Sequence, residues 1–114
     1  MQLTKPSTKT KTYTQDEAFK ASLEYFKGDD LAARVWVNKY ALKDSDGNIY
    51  ELTPDDMHRR IASEIARIEA RYANPMSEDE VFDLIKNFKY IVPQGSPMAG
   101  IGNPFQVGSL SNCF

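Results

Sequence analysis

The chain has 114 residues, enough for one domain. Its 41% hydrophobic and 26% charged residues suit a globular chain and exclude a collagen-like, coiled-coil or mostly disordered one. A net charge of -2, one cysteine and only short apolar runs exclude a basic nucleic-acid binder, an internal disulfide, a cysteine-based metal site and a membrane-spanning helix. A reducing, cytoplasmic setting follows as the expectation.

Residues 1–13, MQLTKPSTKTKTY, are rich in Thr and Lys and read as a flexible lead. The Lys residues precede no apolar stretch, so the segment is not a secretory signal. A helix is expected from Thr14 to Lys27, opened by a Thr14/Glu17 capping box, with Phe19, Leu23 and Phe26 on its apolar face. Gly28 ends it in the left-handed conformation. Asp29 or Asp30 caps a second helix running to about Lys43, with Leu31, Val35 and Leu42 on one side and Trp36 and Tyr40 beside them as core. Asp44-Ser45-Asp46-Gly47-Asn48 is turn chemistry, and it lacks the downstream glutamate of a calcium loop. A short extended piece, 49–52, follows.

The longest helix is expected from Thr53 to about Ala73. Thr53 caps it, Pro54 occupies the first turn, and Asp55 and Asp56 complement the helix dipole. Met57, Ile61, Ile65, Ile68 and Tyr72 form its apolar face, and Arg60, Glu64, Arg67 and Arg71 a solvated one. His58 is the single histidine and reads as a surface or packing residue. Its pairing with Cys113 as a catalytic couple is the weaker reading. Asn74-Pro75 breaks the chain. Ser77 with Glu80 opens a fourth helix bearing Val81, Phe82, Ile85 and Phe88.

Residues 93–104, PQGSPMAGIGNP, hold three prolines and three glycines in twelve positions, and no regular element is expected there. Long loops within a domain tend to be functional. Gly100-Ile101-Gly102 lacks the third glycine and the following helix of a dinucleotide motif, and no Gly-Lys-Ser/Thr of a P-loop is present. The carboxylate pairs Asp29/Asp30, Asp55/Asp56 and Glu78/Glu80 all sit at helix starts, where capping accounts for them. From Phe105 to Phe114 the chain reads as one strand. A lone strand is unstable, so the chain is expected to end where a sheet begins. Cys113 sits on that strand among Ser109, Ser111 and Asn112, small polar groups suited to a site.

Four stretches carry a resemblance: FKGDDLAARVWVNKYAL, TPDDMHRRIASEIARIE, FKYIVPQGSPMAGIGN and SLSNCF. In this order they resemble the start of the large, catalytic subunit of ribonucleotide reductase, over roughly Leu23 to Phe114. The resemblance implies a mainly α segment, residues 14–92, leading through a substrate loop into the first strand of a ten-stranded α/β barrel at 93–114. It implies an enzyme that removes the ribose 2′-hydroxyl by radical chemistry, with Cys113 as one thiol of a redox pair. It also implies that Ser96 and Asn112 line the substrate pocket with Cys113; the family often has Ser where Asn112 stands.

Partners implied by the resemblance are a ribonucleotide, with diphosphates favoured, the rest of the catalytic subunit, and a thioredoxin-type reductant. The radical source is either a metal-containing small subunit or adenosylcobalamin, neither bound by this segment. The segment by itself is expected to be inactive. A different class of reading is a non-catalytic helical interaction module whose C-terminal strand adds to a partner's sheet.

Overall fold

Capping chemistry sets the helix starts. A computed structural model describes residues 11–105, within which the chain forms five α-helices and a short 3-10 turn. The first, α1 (Gln15–Tyr25), opens with the expected box: Thr14 Oγ1 accepts from the Glu17 amide at 3.1 Å, and Glu17 Oε1 accepts from the Thr14 amide at 2.8 Å. Gly28 follows with φ +89° and donates its amide to the Leu23 carbonyl at 2.8 Å. Asp29 caps α2 (Asp30–Lys39), accepting from the Ala32 amide at 3.1 Å.

The second helix stops four residues before Lys43. The Lys43 ammonium turns back onto the carbonyls of Val37, Asn38 and Ala41, so the terminal acceptors receive a cation instead of a further turn. Leu42, expected on the helix, lies buried beyond it. The inward faces also differ from the expected stripes. On α1 the buried residues are Ala18 and Ser22, while Phe19 and Leu23 are half-buried. On α2 they are Ala33, Trp36 and Val37, leaving Leu31 71% exposed and Val35 at the surface. The bulky Trp36 sets the rotation: it is buried with its Nε1 donating to Met57 Sδ at 3.3 Å.

Asp44 organises the turn that follows. Its Oδ1 accepts from the amides of Asp46 and Asn48, and its Oδ2 from Asn48 Nδ2 and the Tyr50 hydroxyl. These donors, the Asn48 side chain foremost, hold the carboxyl below its usual range. Among the described residues the extended piece pairs through isolated antiparallel bridges, Tyr13 with Ile49 and Lys43 with Ile49. Tyr13, assigned above to the lead, is thus tied to the domain by its amide on the Ile49 carbonyl at 2.8 Å.

Next comes α3 (Pro54–Glu69), with Pro54 in its first turn. Thr53 holds the N-cap position without a side-chain cap bond; Asp56 Oδ2 instead accepts from the Leu52 amide at 2.9 Å. The helix ends four residues before Ala73. The connection onward is anchored by Glu69 Oε1, which accepts from the Met76 amide at 3.0 Å. The Ser77/Glu80 box opens α4 (Glu78–Ile85), which packs on α3. Phe88, expected on that helix, lies in the 3-10 turn Lys86–Phe88, where Asn87 and Phe88 both take positive φ.

Trp36, Val37, Met57, Ile61, Val81 and Ile85 are among the core residues. Contrary to the expectation of no regular element, a final helix, α5 (Gly95–Gly100), forms within the Pro/Gly-rich stretch. It persists because Met98 and Ile101 pack against the core. The described residues contain no strand, consistent with an all-α segment. Of the strand expected from Phe105 to Phe114, Phe105 lies in a bend, and residues 106–114 lie outside the described residues.

Candidate functional site

The Pro/Gly-rich segment is held from three sides. At its start, Gly95 lies against the ring of Tyr40: a Cβ there would sit 3.2 Å from the Tyr40 hydroxyl and ring edge. At its end, Gly102 takes φ +73°, and a Cβ would come within 2.9 Å of Arg60 Cγ and 3.2 Å of the Arg60 carbonyl. Only glycine permits both that backbone conformation and that approach. Between them, the Arg60 guanidinium donates through Nη2 to the Met98 carbonyl at 2.7 Å and through Nη1 to the Ile101 carbonyl. These acceptors lie at the C-terminal end of α5, where a cation suits the helix dipole.

Arg60 is itself held. Its Nε lies 2.8 Å from Glu51 Oε2, with side-chain exposures of 3% and 0%. Glu51 Oε1 accepts from the Leu42 amide at 2.9 Å, so the carboxylate also fixes the chain just after α2. A buried ion pair is tolerated only when its remaining hydrogen-bonding capacity is met. Here backbone groups from two segments meet it. The expectation that Arg60 belongs to a solvated face is therefore overturned; Arg67 and Glu64 do pair at the surface, at 2.6 Å.

Ser96 sits in the first turn of α5, half-buried, on the segment that Arg60 pins. Asn112 and Cys113, the other expected site residues, lie outside the described residues. His58 is fully buried, one ring from Phe88, and neither of its nitrogens has a hydrogen-bond partner among the described residues. Burial first, and then the nearby Arg60 charge, lower its pKa to about 4. It is a neutral packing residue, as the packing reading of the sequence has it. Its proposed couple with Cys113 involves a residue outside those described.

Among the described residues no three His, Cys, Asp or Glu side chains gather as a metal site. No described helix is long and apolar enough to cross a membrane. A separate pocket of about 430 Å³ opens between the start of α1 and the 44–48 turn, lined in part by Thr12, Glu17, Asn38, Lys43 and Asn48. Lys43 there is committed to the carbonyls that end α2, and burial lowers its pKa.

Two residues that order the segment, Glu51 and Arg60, escape a reading for chemistry. Signals for both exist in the sequence. Arg60 falls three residues after Met57 and beside Ile61, on the rim of the apolar face, and Glu51 interrupts the run Ile49-Tyr50-Glu51-Leu52.

A family model described as ribonucleotide reductase, all-alpha domain, matches residues 26–104. That stretch takes in α2 to α5, Glu51, Arg60 and Ser96, and stops before Asn112 and Cys113. No curated protein and no solved structure matches the chain.

Proposed function

The chain belongs to the ribonucleotide reductase all-alpha domain family, and from that premise we propose that it supplies the substrate loop and one redox thiol to the reductase's catalytic subunit. The observation that carries this reading is the family match over 26–104, which ends on the segment pinned by Arg60. The reaction removes the ribose 2′-hydroxyl from a ribonucleotide, a diphosphate on this reading, to make a deoxyribonucleotide in the cytoplasm.

Each residue has a role in keeping with its chemistry. Ser96 offers a hydroxyl to the substrate from the first turn of α5. Asn112 lines the pocket beside the thiol. Cys113 is one of two thiols that together deliver two electrons and two protons. The hydroxyl leaves as water, hydrogen takes its place on carbon, and the two thiols become one disulfide. The chain contains a single cysteine, so the second thiol comes from outside these 114 residues. A thioredoxin-type dithiol then resets the pair by exchange. The initiating radical is supplied by a metal-containing small subunit or by adenosylcobalamin. On this reading the described residues position the substrate loop.

Replacing Cys113 with Ser in the catalytic subunit that carries this chain tests the reading. Multiple turnovers with a dithiol reductant are lost, while a single turnover's worth of ribonucleotide still binds. Sustained turnover in that variant would refute the role of Cys113.

A further inference from the structure

We propose that the buried Glu51–Arg60 pair is the positioning element that sets the 95–102 segment against the ribonucleotide, so that two residues remote in sequence from the substrate loop control how well substrate binds. This rests on reading that segment as the substrate loop.

The argument is geometric. One guanidinium makes four contacts: Nε to Glu51 Oε2, a longer one from Nη2 to Glu51 Oε1 at 3.5 Å, Nη2 to the Met98 carbonyl and Nη1 to the Ile101 carbonyl. A planar fork with fixed donor directions imposes one orientation on everything it touches. Glu51 fixes the fork in turn, because its other oxygen is tied to the Leu42 amide. One hydrogen-bonded path therefore links the chain just after α2, the middle of α3 and the end of α5. Gly102 lets the backbone lie directly on the Arg60 side chain, closing the path from the loop side. Such a path costs more in desolvation than an apolar core of the same volume, and its distinctive property is the geometry it enforces. The six-residue α5 is too short to hold its own shape in water, so its placement depends on these contacts.

Arg60 is a positioning residue: it acts through the loop backbone. The test uses the complete catalytic subunit carrying this chain, with Arg60→Lys, Gly102→Ala, Ser96→Ala and, as a control, Arg71→Met at an exposed position. Lysine keeps the charge and loses the fork; Gly102→Ala disturbs the same contact from the loop and remains available should Arg60→Lys fail to fold. Hydrogen exchange reports on the amides of 95–103, and steady-state kinetics with a ribonucleoside diphosphate give KM and kcat separately.

Both clamp variants are expected to speed exchange in 95–103 and to raise KM about tenfold or more, with the control unchanged. Faster exchange with wild-type KM and kcat in both clamp variants overturns the proposal, whatever Ser96→Ala does. Raised KM in the clamp variants with unchanged kinetics in Ser96→Ala supports the clamp and removes Ser96 from the substrate contact. Unchanged kinetics in the clamp variants and in Ser96→Ala together overturn both the clamp and the substrate-loop reading beneath it.

Discussion

The imidazole of His58 meets the ring of Phe88 edge-on, with centroids 4.6 Å apart and an interplanar angle of 75°. This contact brings the turn after α4 onto α3, and Phe88 continues it by stacking on Phe26 at 6.3 Å. A histidine fully buried against an aromatic ring, beside a buried cation, is stable only when neutral.

Its protonation therefore opposes folding. In the folded chain the group titrates at about 4; in the unfolded chain it titrates near 6.5. Between those values the unfolded state binds more protons, so stability is complete above about pH 6.5 and declines as the pH falls towards 4. The contribution lost is about 3 kcal/mol. Urea denaturation at pH 7.5 and pH 4.5 measures it, compared with His58→Leu, which is expected to lose this part of the slope. Because both ring nitrogens lack partners, the leucine variant is also expected to be at least as stable as wild type at pH 7.5.

Breaking the buried ion pair from one side leaves a charge without its partner. Arg60→Met is expected to cost about 3–5 kcal/mol, and Glu51→Gln a smaller amount because the amide oxygen still accepts. The double variant Glu51→Leu/Arg60→Met is expected to cost less than the sum of the two corresponding single changes. Chemical denaturation of the four chains in a cycle gives the coupling; strict additivity would mean that the two side chains do not interact.

The faces of the helices predict a contrast between equally apolar residues. Ile61 is 1% exposed, whereas Leu31 is 71% exposed. Ile61→Ala is expected to cost about 2–5 kcal/mol, and Leu31→Ala no more than about 0.5 kcal/mol. Thermal unfolding of the two variants, side by side, distinguishes the observed rotation of α2 from the stripe expected from periodicity.

Caps that look alike in sequence are expected to differ in weight. Ser77 accepts from the Glu80 amide at 3.1 Å, so Ser77→Ala costs about 1 kcal/mol. Thr53 occupies the same kind of position without a side-chain cap bond, so Thr53→Ala costs at most a few tenths of that. Denaturation midpoints at constant slope check the pair.

Local chemistry was legible in advance wherever neighbours in sequence satisfy one another. The Thr14/Glu17 and Ser77/Glu80 boxes, the Gly28 stop, the Asp29 cap, the Asp44 turn and Pro54 at the third helix all stand where expected. Each depends on contacts within about four residues. The stretches resembling a reductase catalytic subunit likewise pointed to the family that the match over 26–104 establishes. Of the expected site residues, Ser96 falls on the pinned segment; Asn112 and Cys113 lie outside the described residues.

Sequence periodicity by itself determined that helices run through 15–85 and roughly where each begins, because the pattern of apolar spacing and caps is written residue by residue. The tertiary structure decided which face of each helix turns inward, since Trp36 and the small Ala18, Ser22 and Ala33 outcompete the longer Leu31 and Val35 for the interior. It also decided that Arg60 is buried and that residues 95–100 are helical. Both follow from contacts between segments about 40 residues apart, Arg60 with the Met98 and Ile101 carbonyls. A buried charge is held only by partners that folding brings to it, and no window of adjacent residues contains them.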